Sequence, residues 1–131
     1  MKKLSYFFVL ILLAAACNND NQVQYKKVNP ADVDRLSPRT YLHLTCNTFV
    51  GNQNKLVIDG SIQNSSALAK YKNVIIQIFC IDSSGQIAKR EQLPALDLIH
   101  PNETQSFKLI TLATSNTKKV EVKLFDATGV K

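Results

Sequence analysis

Glycine, histidine and cysteine are scarce in this chain, and their scarcity excludes several chemistries before any fold is considered. The four glycines, Gly51, Gly60, Gly85 and Gly129, are scattered over 131 residues, so there is no glycine-rich loop to cradle a phosphate. Only two histidines occur, His43 and His100, and the three cysteines stand far apart at positions 17, 46 and 80. Neither a His-x-x-x-His pair nor a paired-cysteine spacing is present to build a metal site, and no metal or cofactor is expected. Basic residues outnumber acidic ones by 16 to 10, but they fall singly or in pairs, without the basic stripe and interleaved aromatics of a nucleic-acid binder. Nucleic acid is therefore not an expected partner. The one long apolar run, residues 4–13, is too short to cross a bilayer as a stable helix.

That run belongs to a leader. Met1-Lys2-Lys3 is a basic start, residues 4–13 are apolar, and Ala14-Ala15-Ala16 supplies small residues directly before Cys17. This is the layout of a secretory signal peptide. With a cysteine at that point it resembles the lipobox of bacterial lipoproteins, in which the cysteine is acylated and becomes the mature N-terminus; Ala14 stands where most such boxes carry Leu. An ordinary signal peptide with a chance thiol is the simpler alternative. Each buried lipid methylene contributes about 0.8 kcal/mol, so several chains on Cys17 would hold a small domain on a membrane. Lys2 and Lys3 account for two of the 16 basic residues, leaving 14 against 10 acidic ones, and the lysines suit solvated strand edges and turns.

The expected domains are 1–16 signal peptide, 17–39 lipid-anchored linker, 40–126 β-sandwich and 127–131 tail. Residues 18–27 are polar and read as a tether. Asn29 and Pro30 mark one helical turn, with Asp32 near its positive end and Ser37-Pro38 stopping it; an irregular linker is the alternative. Leu42, Leu44 and Cys46 then alternate with Tyr41, His43 and Thr45, the period-two pattern of a half-buried strand. Gly51-Asn52-Gln53-Asn54 is a turn, and Leu56, Ile58 and Ile62 share one face of the next strand. Gly60 within it signals a bulge or a close backbone approach. The central strand is residues 73–82, rich in Ile and Val and closed by Asp82-Ser83-Ser84-Gly85, with Val74, Ile76, Ile78 and Cys80 on one face. Residues 86–93 pair back as a hairpin, 94–98 connect onward, 104–109 and 109–115 are two short strands, and 119–125 is the last. Seven short strands with polar turns predict an all-β fold, an antiparallel β-sandwich.

The segments Asp59-Gly60-Ser61-Ile62-Gln63-Asn64, Asn73-Val74-Ile75-Ile76-Gln77-Ile78-Phe79 with Asp82-Ser83-Ser84-Gly85, and Pro101-Asn102-Glu103 with Phe107 resemble the FxLYD-type domain of bacterial exported proteins and lipoproteins. Cys80 replaces a usual aromatic, and Asn102 stands where Gly is common. The resemblance covers about residues 56–125 and implies an immunoglobulin-like β-sandwich and export, but no reaction. A rival resemblance is to small YcfL-like lipoproteins of Gram-negative bacteria, with a similar sandwich and lipid anchor.

If Cys17 is acylated, Cys46 and Cys80 remain on inward strand faces. They form either a cross-sheet disulfide closing a loop of about 34 residues, worth about 3 kcal/mol, or two buried thiols. His43 and Cys46 point to opposite strand faces, which rules out a nucleophilic dyad. Asp82 and Asp126 read as turn acceptors. The sequons Asn64-Ser65-Ser66 and Asn102-Glu103-Thr104 are chance matches behind a bacterial leader. No catalytic residue stands out. The expectation is a non-enzymatic, lipid-anchored interaction or structural module of the bacterial envelope, on the outer membrane facing the periplasm, with an envelope protein as partner. Its contact patch would be Tyr41, Ile75, Phe79 and Ile81, unless the second sheet or the N-terminal segment covers them. The alternative function is a carrier or sensor of a small apolar ligand, which needs a cavity lined by Leu44, Ile58 and Ile76. An enzyme would need His43 or His100 in a pocket beside a perturbed carboxylate.

Overall fold

A computed structural model describes residues 28–131. The leader, Cys17 and the start of the expected linker lie outside the described residues. Two short helices, α1 (Pro30–Arg35) and α2 (Pro38–Tyr41), lead into six strands: β1 (Leu42–Val50), β2 (Lys55–Asn64), β3 (Lys70–Asp82), β4 (Ile87–Ile99), β5 (Thr104–Leu112) and β6 (Thr117–Val130). They form two antiparallel three-stranded sheets, ordered β1-β2-β5 and β4-β3-β6. The protein is an all-β sandwich.

The core follows from the alternation. Leu42, Leu56, Ile58 and Ile62 from the first sheet meet Val74, Ile76, Ile78, Cys80, Leu96 and Ile99 from the second, all buried. Each fully buried Ile or Leu contributes roughly 2–3 kcal/mol. Gly60 lies opposite Cys46 across the β1–β2 pair. A Cβ there would stand 2.5 Å from the Thr45 carbonyl oxygen and 2.6 Å from Cys46 Cβ. The close approach expected of this glycine is therefore present. Gly129, near the end of β6, serves α1 in the same way, since any side chain would collide with the Arg35 backbone.

Several expectations are corrected. Among the described residues there are six strands rather than about seven, because residues 104–109 and the start of 109–115 form the single strand β5. β3 begins at Lys70, three residues before Asn73, and Asn73 is a bulge residue at φ 51° within it. β4 runs through Pro94 instead of ending before it. As an edge strand it tolerates a residue with no N–H to donate, and the register slips between Val74 and Ile75 opposite it. β6 extends to Val130 through residues expected as a tail, with Thr128 and Gly129 opposite Lys72 and Tyr71. The first helical turn forms as read, with the Asn29 side chain accepting from the Ala31 N–H at 3.1 Å. Ser37-Pro38 does not stop the helical stretch: Pro38 opens a second turn that takes in Tyr41, a residue expected on the strand.

Candidate functional site

Ile75, Phe79 and Ile81 alternate along β3 with the buried Val74, Ile76, Ile78 and Cys80, and so face outward from the second sheet, half-buried. The two flanking strands supply charge. Phe79 lies opposite Arg90 on β4 and Glu121 on β6. The Arg90 guanidinium stands 5.8 Å and the Lys123 ammonium 5.7 Å from the Phe79 ring centroid. Each such cation–π contact contributes about 0.5–1 kcal/mol at an exposed site. Glu121 is engaged by Lys119 at 3.1 Å. The result is a largely apolar strip, interrupted by Gln77, with a cation on either side of its aromatic ring. Arg90 and Lys123 escape a reading of the sequence because strand register decides which side chains flank Phe79. Lys123 could be placed on an outward face by alternation, but not beside this ring.

Tyr41 does not join that strip. It ends α2 and packs against the core from the N-terminal side. A hydrogen bond with Asp34, with some burial, raises its phenol above the usual range. The four-residue patch is thus divided, three members on the outward face of the second sheet and one under α1.

Tyr41 belongs to a polar knot at one end of the sandwich, built on Asn64 and Ser66, the buried polar residues of the core region. The Asn64 amide donates to the carbonyls of Ala69 at 2.8 Å and His100 at 3.0 Å, and its oxygen accepts the Ser66 N–H at 3.1 Å. The Ser66 hydroxyl donates to the Asp34 carboxylate at 2.6 Å and accepts the N–H groups of Leu68 and Ala69. The Tyr71 hydroxyl donates to the Asp34 carbonyl. Burial, then the neighbouring Asp34 and Tyr41, push its phenol up to about 12. Arg39 donates to the Phe125 carbonyl at 3.0 Å, tying α2 to β6. Read from sequence, Asn64-Ser65-Ser66 is only a strand breaker; nothing local shows that Asp34, some thirty residues earlier, completes it.

Cys46 and Cys80 are free thiols in this structure, on different sheets, the second of the two arrangements left open for them. Cys80 is buried, and burial raises the half-buried Cys46 thiol above its ordinary value. His43 faces outward with its ring 3.1 Å from the Ser65 hydroxyl, while Cys46 packs on the core. His100 sits in the β4–β5 turn, its N–H bonded to Glu103 at 2.7 Å. That bond, followed by Gln105, lowers the Glu103 carboxyl. Asp82 caps its turn as expected, accepting from Ser84 N–H, Ser84 hydroxyl and Gln86 N–H, and lies below the usual carboxylate range, with the Ser84 hydroxyl as first cause. Asp126 accepts from the Ala127 N–H.

Two surface concavities flank α1. One, about 740 Å³, lies between Asp32, Arg35, Leu36, Asp126 and Lys131; the other, about 430 Å³, between Asn29, Arg35, Leu68 and Val130. Neither is lined by a histidine or by Leu44, Ile58 and Ile76. Among the described residues no group of three or more His, Cys, Asp or Glu side chains is arranged to hold a metal ion, and no helix is long and apolar enough to cross a membrane. Compared with protein-family models, curated proteins and solved structures, the chain matches none.

Proposed function

We propose that this chain is a lipid-anchored protein of the bacterial envelope that acts as a non-enzymatic binding or structural module. The leader and Cys17 support the anchor and the outer-membrane, periplasm-facing location. The observation that carries the binding role is the outward strip Ile75, Phe79 and Ile81, with Arg90 and Lys123 against the Phe79 ring. An aromatic centre that buries well, beside an arginine, is the composition of an interface hot spot. The two cations favour a partner surface that is apolar at its centre and acidic at its margin.

Cell fractionation and co-purification from the membrane fraction test this reading. The wild type is expected in the membrane fraction with one dominant envelope protein. Cys17→Ala should shift the chain to the soluble fraction. Phe79→Ala and Arg90→Glu should leave it on the membrane but reduce recovery of the partner at least tenfold. Membrane retention of Cys17→Ala would overturn the anchor, and unchanged recovery with both strip variants would overturn the binding role.

A further inference from the structure

The four outer strands of the two sheets are not equally protected. β4 carries Lys89, Arg90 and Pro94, and β6 carries Lys118, Lys119 and Lys123, the residues that discourage strands from pairing edge to edge. β5 carries Lys108 and is latched to β4, because Lys89 donates to the Leu112 carbonyl and Thr111 donates to Glu91 at 2.7 Å. Among the described residues, β1 has no such feature. It is an outer strand of its sheet, and from Leu42 through Asn54 the chain contains no Lys, Arg, Asp, Glu or Pro. Its last four residues, Asn47, Thr48, Phe49 and Val50, are exposed on both faces of the strand.

This open stretch continues into an apolar row. Phe49 lies opposite Val57, and Val57 opposite Ile110, so the three form one line across the outward face of the first sheet. Phe49 is 68% exposed, Ile110 57%, and Leu112, two positions further along β5, 59%. The Phe49 ring lies over Gly51.

We infer that β1 pairs antiparallel with β1 of a second copy of this chain, about a two-fold axis at Phe49, to make one six-stranded sheet. The register selects the occupant. With Phe49 opposite Phe49 of the other copy, the row reads Ile110, Val57, Phe49, then Phe49, Val57, Ile110, an unbroken apolar line through both subunits. Shifting the pairing by two residues one way sets Phe49 against Asn47, with Asp59 and Lys108 beyond it. The opposite shift sets it against Gly51 and then Lys55. On the inward face the same axis sets Thr48 opposite Val50, a β-branched pair on each side.

Charge does not oppose this register. The row beside the axis runs Leu112, Lys55, Gly51 in one copy and Asn47, Asp59, Lys108 in the other. No like charges are neighbours in this row, and Lys55 stands three strand spacings, about 14 Å, from Asp59 of the second copy, a separation at which the pair is largely screened. The neutral strand opposes no charge to itself. A two-fold axis makes the interface self-complementary, so one strand supplies both halves.

Self-association of the full chain, purified in detergent, tests this by light scattering and by site-specific cross-linking. The wild type is expected at twice the protein mass of its own monomer. Phe49→Lys, which sets two ammonium groups face to face, should weaken association at least tenfold while keeping the β-sheet circular dichroism spectrum. In a Cys46→Ser background, Phe49→Cys should form an oxidant-driven dimer at least five times more readily than Asn47→Cys or Thr45→Cys, because only position 49 faces itself. A wild type that stays monomeric overturns the inference. So does equal cross-linking at all three positions, a Phe49→Lys chain that remains dimeric, or occupation of this edge by a different protein. The inference stands apart from the proposed function, since the two surfaces lie on different sheets: Phe79→Ala should leave self-association unchanged.

Discussion

Tyr71 is the residue on which the N-terminal end of the sandwich turns. Its ring is fully buried in the core while its hydroxyl reaches the backbone of α1 at Asp34. Removing that hydroxyl with Tyr71→Phe takes one of two donors from the Asp34 carbonyl, which keeps the Ser37 N–H at 3.1 Å, and a loss of about 1 kcal/mol in urea unfolding at neutral pH is expected. The same residue sets an alkaline limit. Because its phenol is pushed up to about 12 from 10.0, folding favours the neutral form. The resulting stability is fully present below pH 10 and is lost as pH rises through about 12. Urea midpoints measured from pH 9 upward should therefore fall more steeply for the wild type than for Tyr71→Phe. Equal slopes would show that the phenol does not titrate as this environment requires.

At the scale of elements, departures from regular alternation decide where strands begin and end. Asn73 is polar and follows Lys72, so by sequence it marks the start of a strand. In the fold it holds φ at 51° and lets two residues of β3 stand against one of β6, after which the alternation resumes. Asn is one of the few residues besides Gly that adopts this conformation readily. Asn73→Gly should leave stability within about 0.5 kcal/mol, whereas Asn73→Val should cost about 1–2 kcal/mol, measured by chemical denaturation. Asn102 holds φ at 58° in the β4–β5 turn, a left-handed conformation that Asn adopts more readily than most residues besides Gly. The inward sets Leu56, Ile58, Ile62 and Val74, Ile76, Ile78, Cys80 were legible from period two alone, because no bulge interrupts those segments. The extension of β4 through Pro94 and of β6 to Val130 was not. Each contains a register slip that breaks the period, and pairing with β3 rather than local propensity keeps the strand going.

For the whole molecule, the contact between sheets is made by packing and not by a covalent bridge. Cys46 belongs to the first sheet and Cys80 to the second, both as thiols. The melting temperature should be the same within about 1 °C with and without reductant. A bridge closing this loop would be worth about 3 kcal/mol, and at roughly 4–8 °C per kcal/mol for a domain of this size its reduction would lower the midpoint by more than about 10 °C. Which inward cysteines meet depends on how two sheets are stacked, and strand alternation carries no information about that. The strip around Phe79 was legible for the same local reason that the bridge was not. Alternation along β3 puts Ile75, Phe79 and Ile81 outward, and only the cations beside them required the pairing of three strands.

The polar knot also determines where a pull on the tether would be felt. A chain entering directly at Leu42 would transmit tension to β1, an outer strand with a single hydrogen-bonded neighbour. Here Asp34 is fastened first, through its carboxylate to Ser66 and through its carbonyl to Tyr71. Load applied ahead of Val28 therefore passes into the head of β3, which is paired on both sides. With the anchor proposed above, the outer edge of β1 would be spared the strain, and drag on the domain would fall on the strand best supported to resist it.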